Sequence, residues 1–205
     1  MLAGHFGLAA IVKSREPQVP LWALMLSTQL LDAIFIVLYA FNIETFEKVQ
    51  GTSGGYGELV IHADYTHSLV GALAISLVAM LVAAIPWGRR NGLIIGAMVF
   101  SHWILDILVH RGDMPILPGN AYNLPKVGLG LWAYPWLTAG MELILVLGGA
   151  FLYYHASMRT AIKAERMDTK AGTPVQGNYR RQALTTSIIL FVVLLGTLVG
   201  NLLGY

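Results

Sequence analysis

The sequence predicts an all-α fold: a polytopic membrane helix bundle of about five transmembrane helices, preceded by a short N-terminal helix that is re-entrant or interfacial. Three observations carry this expectation. Hydrophobic residues make up 56% of the 205 residues and charged residues only 12%, about half the charged share of an ordinary soluble domain. Stretches at about 21–42, 66–86, 91–109, 130–154 and 183–204 are each apolar enough to span, and long enough to cross a hydrocarbon core of about 30 Å at about 1.5 Å per residue. The basic residues between these stretches fall mostly on one side of the implied membrane.

The chain opens with MLAGHFGLAAIV, which has no basic region ahead of it and no small-residue cleavage site. It does not read as a signal peptide, and it is too short to span, which leaves a re-entrant or interfacial helix. Assigning alternate connections to one side groups Lys13, Arg15, Arg89, Arg90, Arg159, Lys163, Arg166, Lys170, Arg180 and Arg181 against Lys48, Arg111 and Lys126. That asymmetry predicts cytoplasmic loops at 87–90 and 155–182 and an external C-terminus. Loop 43–65 is then external and acidic, carrying Glu44, Glu47, Glu58 and Asp64 around GTSGGYG. Loop 110–129 is external too, and its prolines suit either a lid over an external site or an ordinary connection. Nearly the whole chain is used up by spans and connections, so residues 1–205 form a single membrane domain.

Gly92 and Gly96, and likewise Gly196, Gly200 and Gly204, recur at four-residue spacing, which suits close helix packing within the chain, in a homo-oligomer or in a larger membrane complex. Trp22, Trp87, Trp132, Trp136 and Tyr205 lie near span ends, where amphipathic rings settle at the interface. Membrane lipids are the expected surroundings, and a net charge of +2 gives no reason to expect nucleic acid. The chain has no cysteine, so a bound metal must use imidazole, carboxylate, carbonyl or water.

Several polar residues stand where they are costly. An ionised or strongly polar side chain near the bilayer centre costs roughly 2.5–3.5 kcal/mol and needs a partner. Asp32 sits about 11 residues, or about 16 Å, into the first span. His102 lies at nearly that depth in the third span, with Asp106 one turn further out. Glu142 reaches mid-depth from the opposite side, and the N-terminal helix brings His5 toward the same level. The i,i+4 spacing of His102 and Asp106 puts both on one helix face, able to bind one ion together. His110 follows four residues later, and HADYTHS supplies His62, Asp64 and His67 where the second span begins. Thr28 and Gln29 stand one turn before Asp32, placed to orient it or to bond backbone carbonyls. Such mixed imidazole and carboxylate sets suit borderline divalent metals; a buried hydrogen-bond network or a proton path uses the same residues. His67, at the lip of its span, would have to descend about four residues' rise to meet His102 and Asp106.

With these residues in hand, roughly residues 1–120 resemble the membrane-bound metal-dependent hydrolase family, the YdjM-like proteins. The resemblance rests on GHFGLAA, STQLLDAIF, HADYTHSLV, and SHWILD followed by RGDMPILPG, in that order. In ligand order the family is similar to the zinc-dependent phospholipases C and the single-strand-specific zinc nucleases. The resemblance implies a bacterial inner-membrane protein with a first metal, zinc, on Asp32, His67, His102 and Asp106. It implies a second metal shared by Asp106 and His5, and a further one using Glu142 and His110. Thr138 stands where the soluble enzymes carry a His, the Asp106 to His110 spacing is shorter than theirs, and no Pro precedes Asp32. These departures weigh against the third metal. The function implied is metal-dependent hydrolysis of a phosphoester or lipid-linked substrate reached from outside, with water activated by metal and Glu142 assisting. The alternative reading is a non-catalytic subunit or assembly factor of a larger membrane complex.

Overall fold

The computed structural model describes residues 1–48, 59–171 and 177–203. The GTSGGYG segment, Glu58, Gly204 and Tyr205 lie outside the described residues. Among the described residues the regular structure is helical apart from one antiparallel pair of strands: α1 (Leu2–Arg15), α2 (Leu21–Thr28), α3 (Leu30–Ala40), β1 (Thr45–Lys48), β2 (Leu59–His62), α4 (Leu69–Val109), α5 (Pro135–Lys170) and α6 (Tyr179–Leu203), with short 3-10 turns between α4 and α5.

The expected count of about five spans meets a different segmentation. Among the described residues three helices, α4, α5 and α6, are long and apolar enough to cross a membrane, or four spans result if α2 and α3 are taken as one bent by 52°. The difference lies partly in α4, which contains both the 66–86 and the 91–109 stretches. It is not one straight rod, because Gly88 breaks it with φ 79 and ψ 163, a backbone region open essentially to glycine alone. The chain folds back there. A Cβ on Gly92 would lie 2.8 Å from the Ala84 side chain and one on Gly96 would lie 2.8 Å from that of Met80, so residues 89–109 pack antiparallel against 69–87. The four-residue glycine spacing in the third stretch is therefore a contact within the chain.

The expected 21–42 span breaks at Gln29, whose amide bonds back to Leu26 and Ser27 rather than continuing a regular α turn. The expected 130–154 span begins at Pro135 and runs on to Lys170. The expected loop 155–182 is thus helical as far as Lys170, because residues 155–170 hold no Gly or Pro and are rich in strong helix formers. Arg180 Nε donates to Glu165 Oε2 at 2.8 Å and Tyr179 OH to Asp168 Oδ2 at 3.2 Å, tying α6 alongside this extension.

α1 is inserted among the other helices rather than laid on their surface. Its Ala3, Gly4, His5, Gly7, Ala9 and Ala10 are buried, and a Cβ on Gly7 would come 2.6 Å from the Leu145 carbonyl. Three apolar clusters hold the bundle: one joins α1, α5 and α6, one α1, α2 and α4, and one α3, α4 and Met114. Outward, large apolar side chains are bare, among them Ile36 at 63%, Ile85 at 85% and Ile144 at 73% exposure. Inward, His5, His102, Glu44 and Glu142 are fully buried. Apolar outside and polar inside is the arrangement a lipid solvent selects.

One end of the bundle gathers the basic residues. Arg90 pairs with Glu16 at 2.8 Å, joining the α4 turn to the end of α1. α1 runs parallel to α5, since Gly4 meets Glu142 and Gly7 meets Leu145 and Val146, and α6 returns antiparallel. Lys126, at the opposite end, pairs with Asp64 at 2.9 Å.

Candidate metal centre

The register of the α4 fold-back decides the geometry of the site. Met80 lies against both Gly92 and Gly96, and the same pairing carries the start of the first arm level with residues 102–106 of the second. The descent expected of His67 is therefore not needed. Ser68 caps α4 by accepting from Gly71 N at 3.0 Å, and the His67 carbonyl accepts from Trp103 Nε1 at 2.9 Å. This fixes His67 at the helix mouth with its ring turned inward.

Five of the sequence-predicted residues converge. His102 Nε2 lies 3.0 Å from Asp106 Oδ2 and 3.4 Å from Asp32 Oδ1. His67 Nε2 lies 3.3 Å from Asp32 Oδ1 and 3.7 Å from Asp106 Oδ2. His5 Nε2 stands 3.1 Å from Asp106 Oδ1, with its ring stacked on His102 at 4.0 Å. Among the described residues two groups could each hold an ion, His5/His102/Asp106 and Asp32/His67/His102, with ligand atoms within 4.8 Å of one another. Asp106 turns one oxygen toward His5 and the other toward His102 and His67, the posture of a bridging carboxylate. All are buried except Asp32, whose side chain is 44% exposed and forms the open edge.

The protons of these rings are set from behind. His102 Nδ1 lies 2.6 Å from the Thr28 carbonyl, which can only accept, so Nδ1 carries the hydrogen. Glu44, 1% exposed, accepts from Tyr65 N, Thr66 N and Thr66 Oγ1 at 2.7–2.8 Å. The Thr66 hydroxyl hydrogen being so used, its oxygen accepts from His67 Nδ1 at 2.9 Å. His110 Nδ1 likewise donates to Asp113 Oδ1 at 3.1 Å. With the hydrogen of His67 and of His102 held on Nδ1, their Nε2 atoms are turned inward toward the carboxylates of Asp32 and Asp106. Such a set of imidazole and carboxylate ligands fits a divalent metal, with the ring orientations held from behind.

Other expected residues stand apart. His110 is peripheral, with Nε2 3.7 Å from Asp106 Oδ2 and Trp132 against its ring at 4.1 Å. Glu142 belongs to neither group: it accepts from Gly4 N at 3.1 Å and from Asn201 Nδ2 at 3.4 Å. Thr138 bonds the Leu131 carbonyl. His62 sits in β2 opposite Thr45, and Asp64 serves Lys126 and the Gly119 amide. Among the described residues the buried Nε2 of Gln29 has no hydrogen-bond partner. Sequence reasoning passed over Glu44 and Thr66, treating Glu44 as one acid of a solvated loop; its place four residues past the end of α3 gave no signal of burial. Compared with protein-family models, with curated proteins and with solved structures, the chain matches none.

Proposed function

We propose that this protein is a membrane-embedded metal-dependent hydrolase acting on a phosphoester or lipid-linked substrate, in line with its resemblance to the YdjM-like proteins. The observation that carries the reading is the convergence of the His67 and His102 Nε2 atoms, 3.3 Å apart, on the carboxylates of Asp32 and Asp106. Asp32, His67, His102 and Asp106 would hold one metal, and the other oxygen of Asp106 with His5 a second. Zinc suits a nitrogen and oxygen ligand set of this kind. When bound, it supplies a Lewis acid and a water acidic enough to act near neutral pH. The chain's own residues orient and exclude: Thr28 and Thr66 fix two imidazoles, burial keeps bulk water from His5 and Asp106, and substrate enters past Asp32. In the bilayer we count five crossings, the bent α2 and α3 pair, the two arms of α4, α5 and α6, with α1 re-entrant. The basic end is then cytoplasmic, and the site opens toward the other face.

Metal analysis of purified protein, together with assays on a panel of phosphomonoesters, phosphodiesters and lipid-linked phosphates, tests the reading. Wild type carries about one or two divalent ions and hydrolyses one class, and His102→Ala and Asp106→Ala lose both properties. A folded wild type that takes up no divalent metal removes the proposal. A second reading, a non-catalytic subunit, is favoured by Gly196 of α6, beside which a Cβ would meet nothing within 4 Å. Stoichiometric copurification with other chains and no hydrolysis would support it.

A further inference from the structure

A groove of about 600 Å³ lies between the bent α2 and α3 pair and α4, within the size range of ligand pockets. Leu26, Leu30 and Ile34 form one wall and Ile75, Val78 and Val82 the other. The hydroxyl among the lining, that of Ser27, already donates to the Leu24 carbonyl at 2.8 Å. Apart from the indole N–H groups of Trp22 and Trp87 at one mouth, the lining is aliphatic, so what its length takes is hydrocarbon. It opens sideways, with Val78 and Val82 each 60% exposed. At one mouth Trp22 and Trp87 meet edge to face, with centroids 5.8 Å apart, and just beyond them the α4 turn carries Arg89 and Arg90. Arg90 is committed to Glu16, whereas Arg89 is exposed and, among the described residues, has no ion pair. An apolar slot ending in interfacial tryptophans and a free cation is complementary to one kind of molecule.

We infer that this groove is a binding site for an anionic glycerophospholipid, with an acyl chain along α2, α3 and α4 and the headgroup phosphate at Arg89. The site is distinct from the metal centre, none of whose ligand candidates lines the groove. The groove spans the break at Gln29, with Leu26 on one side and Leu30 and Ile34 on the other. A chain lying there braces the bend that sets Thr28 against His102 and Asp32 against His67. The inference rests on the membrane placement and not on the hydrolytic reading.

The test uses metal-stripped full-length protein in nanodiscs of phosphatidylglycerol or phosphatidylcholine with identical acyl chains, so it is blind to catalysis. Native mass spectrometry is expected to find phosphatidylglycerol retained through detergent transfer by wild type and lost from Ala79→Trp, which fills the groove. Arg89→Gln is expected to lower the preference for phosphatidylglycerol over phosphatidylcholine about fivefold, the effect of one basic side chain at an anionic surface. A second measurement leaves the groove walls intact. Brominated-chain phosphatidylglycerol should quench the emission of Trp22 and Trp87, read as the difference from a Trp22→Phe/Trp87→Phe variant, at a lower mole fraction than brominated phosphatidylcholine does. Equal behaviour of the two lipids in both measurements overturns the inference. So does efficient Val78→Cys cross-linking of two copies with no retained lipid, since the chain has no other cysteine and a second copy would then fill the groove.

Discussion

His67 Nε2 and His102 Nε2 face each other at 3.3 Å although 35 residues separate them, and both rings hold their hydrogen on the far nitrogen. Two lone pairs at that distance, beside two carboxylates, repel unless something positive lies among them. A metal ion satisfies all four groups at once; protons satisfy them only by turning the buried rings into imidazolium.

Metal removal therefore changes stability as well as activity. A ligand that binds only the folded state stabilises it by about 2.7 kcal/mol at a hundred times its dissociation constant. Protein stripped by a chelator is expected to melt at lower temperature than protein with zinc restored, and His102→Ala should not respond to zinc. Thermal unfolding followed by circular dichroism, with and without added zinc, measures both.

Glu44→Gln tests the relay behind His67 without touching a ligand. Glu44 Oε1 accepts two backbone amides, so a glutamine keeps its carbonyl there and places its NH2 where Oε2 now accepts from Thr66. The Thr66 hydroxyl must then turn and donate to His67 Nδ1, moving the imidazole proton to Nε2 and obstructing the metal. Loss of an outer partner of this kind typically weakens metal binding 10–100-fold. Chelator competition should find that loss in Glu44→Gln and in Thr66→Val. Affinity equal to wild type in both would show that the relay does not set the tautomer.

The ligand candidates were legible because each is expensive in lipid: Asp32, His102 and Asp106 could be ranked by depth alone, and the i,i+4 spacing put two of them on one face. The relay was not legible, since Glu44 and Thr66 stand in connections whose folding is decided by tertiary contact. The fold was readable as apolar helices, but not the way the chain divides them. Gly88 reads as one more glycine among many until its positive φ is seen, and the break at Gln29 carries neither Gly nor Pro. The helical extension to Lys170 was hidden by its charge, because a span boundary is marked by polarity while a helix boundary is marked by caps.

Gly88→Ala and Gly130→Ala separate backbone strain from packing. Neither glycine has an atom within 4 Å of a built Cβ, so space is no obstacle at either. Gly88, at φ 79 and ψ 163, lies where other residues cost about 1–3 kcal/mol. Gly130, at φ 74 and ψ 24, is left-handed and costs about 1–2 kcal/mol. Gly88→Ala should be the more destabilised of the two in denaturant titration, because the strain falls on the turn that sets the α4 register.

Gly7→Val acts at a distance on the centre. Its side chain would drive into the Leu145 carbonyl, and overpacking of this kind costs about 1–3 kcal/mol. Because α1 must shift to make room, His5 leaves its 3.1 Å position beside Asp106. Metal analysis should find the His5 site depleted before the Asp32/His67/His102 group, giving a lower metal content in a protein that still folds.

Glu142→Gln distinguishes a ligand from a buried strut. The carboxylate caps α1 by accepting the Gly4 amide and bonds Asn201 on α6, so it joins three helices at the level of the centre without entering either ligand group. Glutamine keeps one carbonyl for Gly4 and can still bond Asn201 through its amide. Wild-type metal content and zinc affinity are therefore expected, with a stability loss of about 1 kcal/mol from exchanging charge-assisted hydrogen bonds for neutral ones. If Glu142→Gln instead loses metal as Asp106→Ala does, Glu142 is a ligand after all, and the side chain must swing from Gly4 when the ion binds.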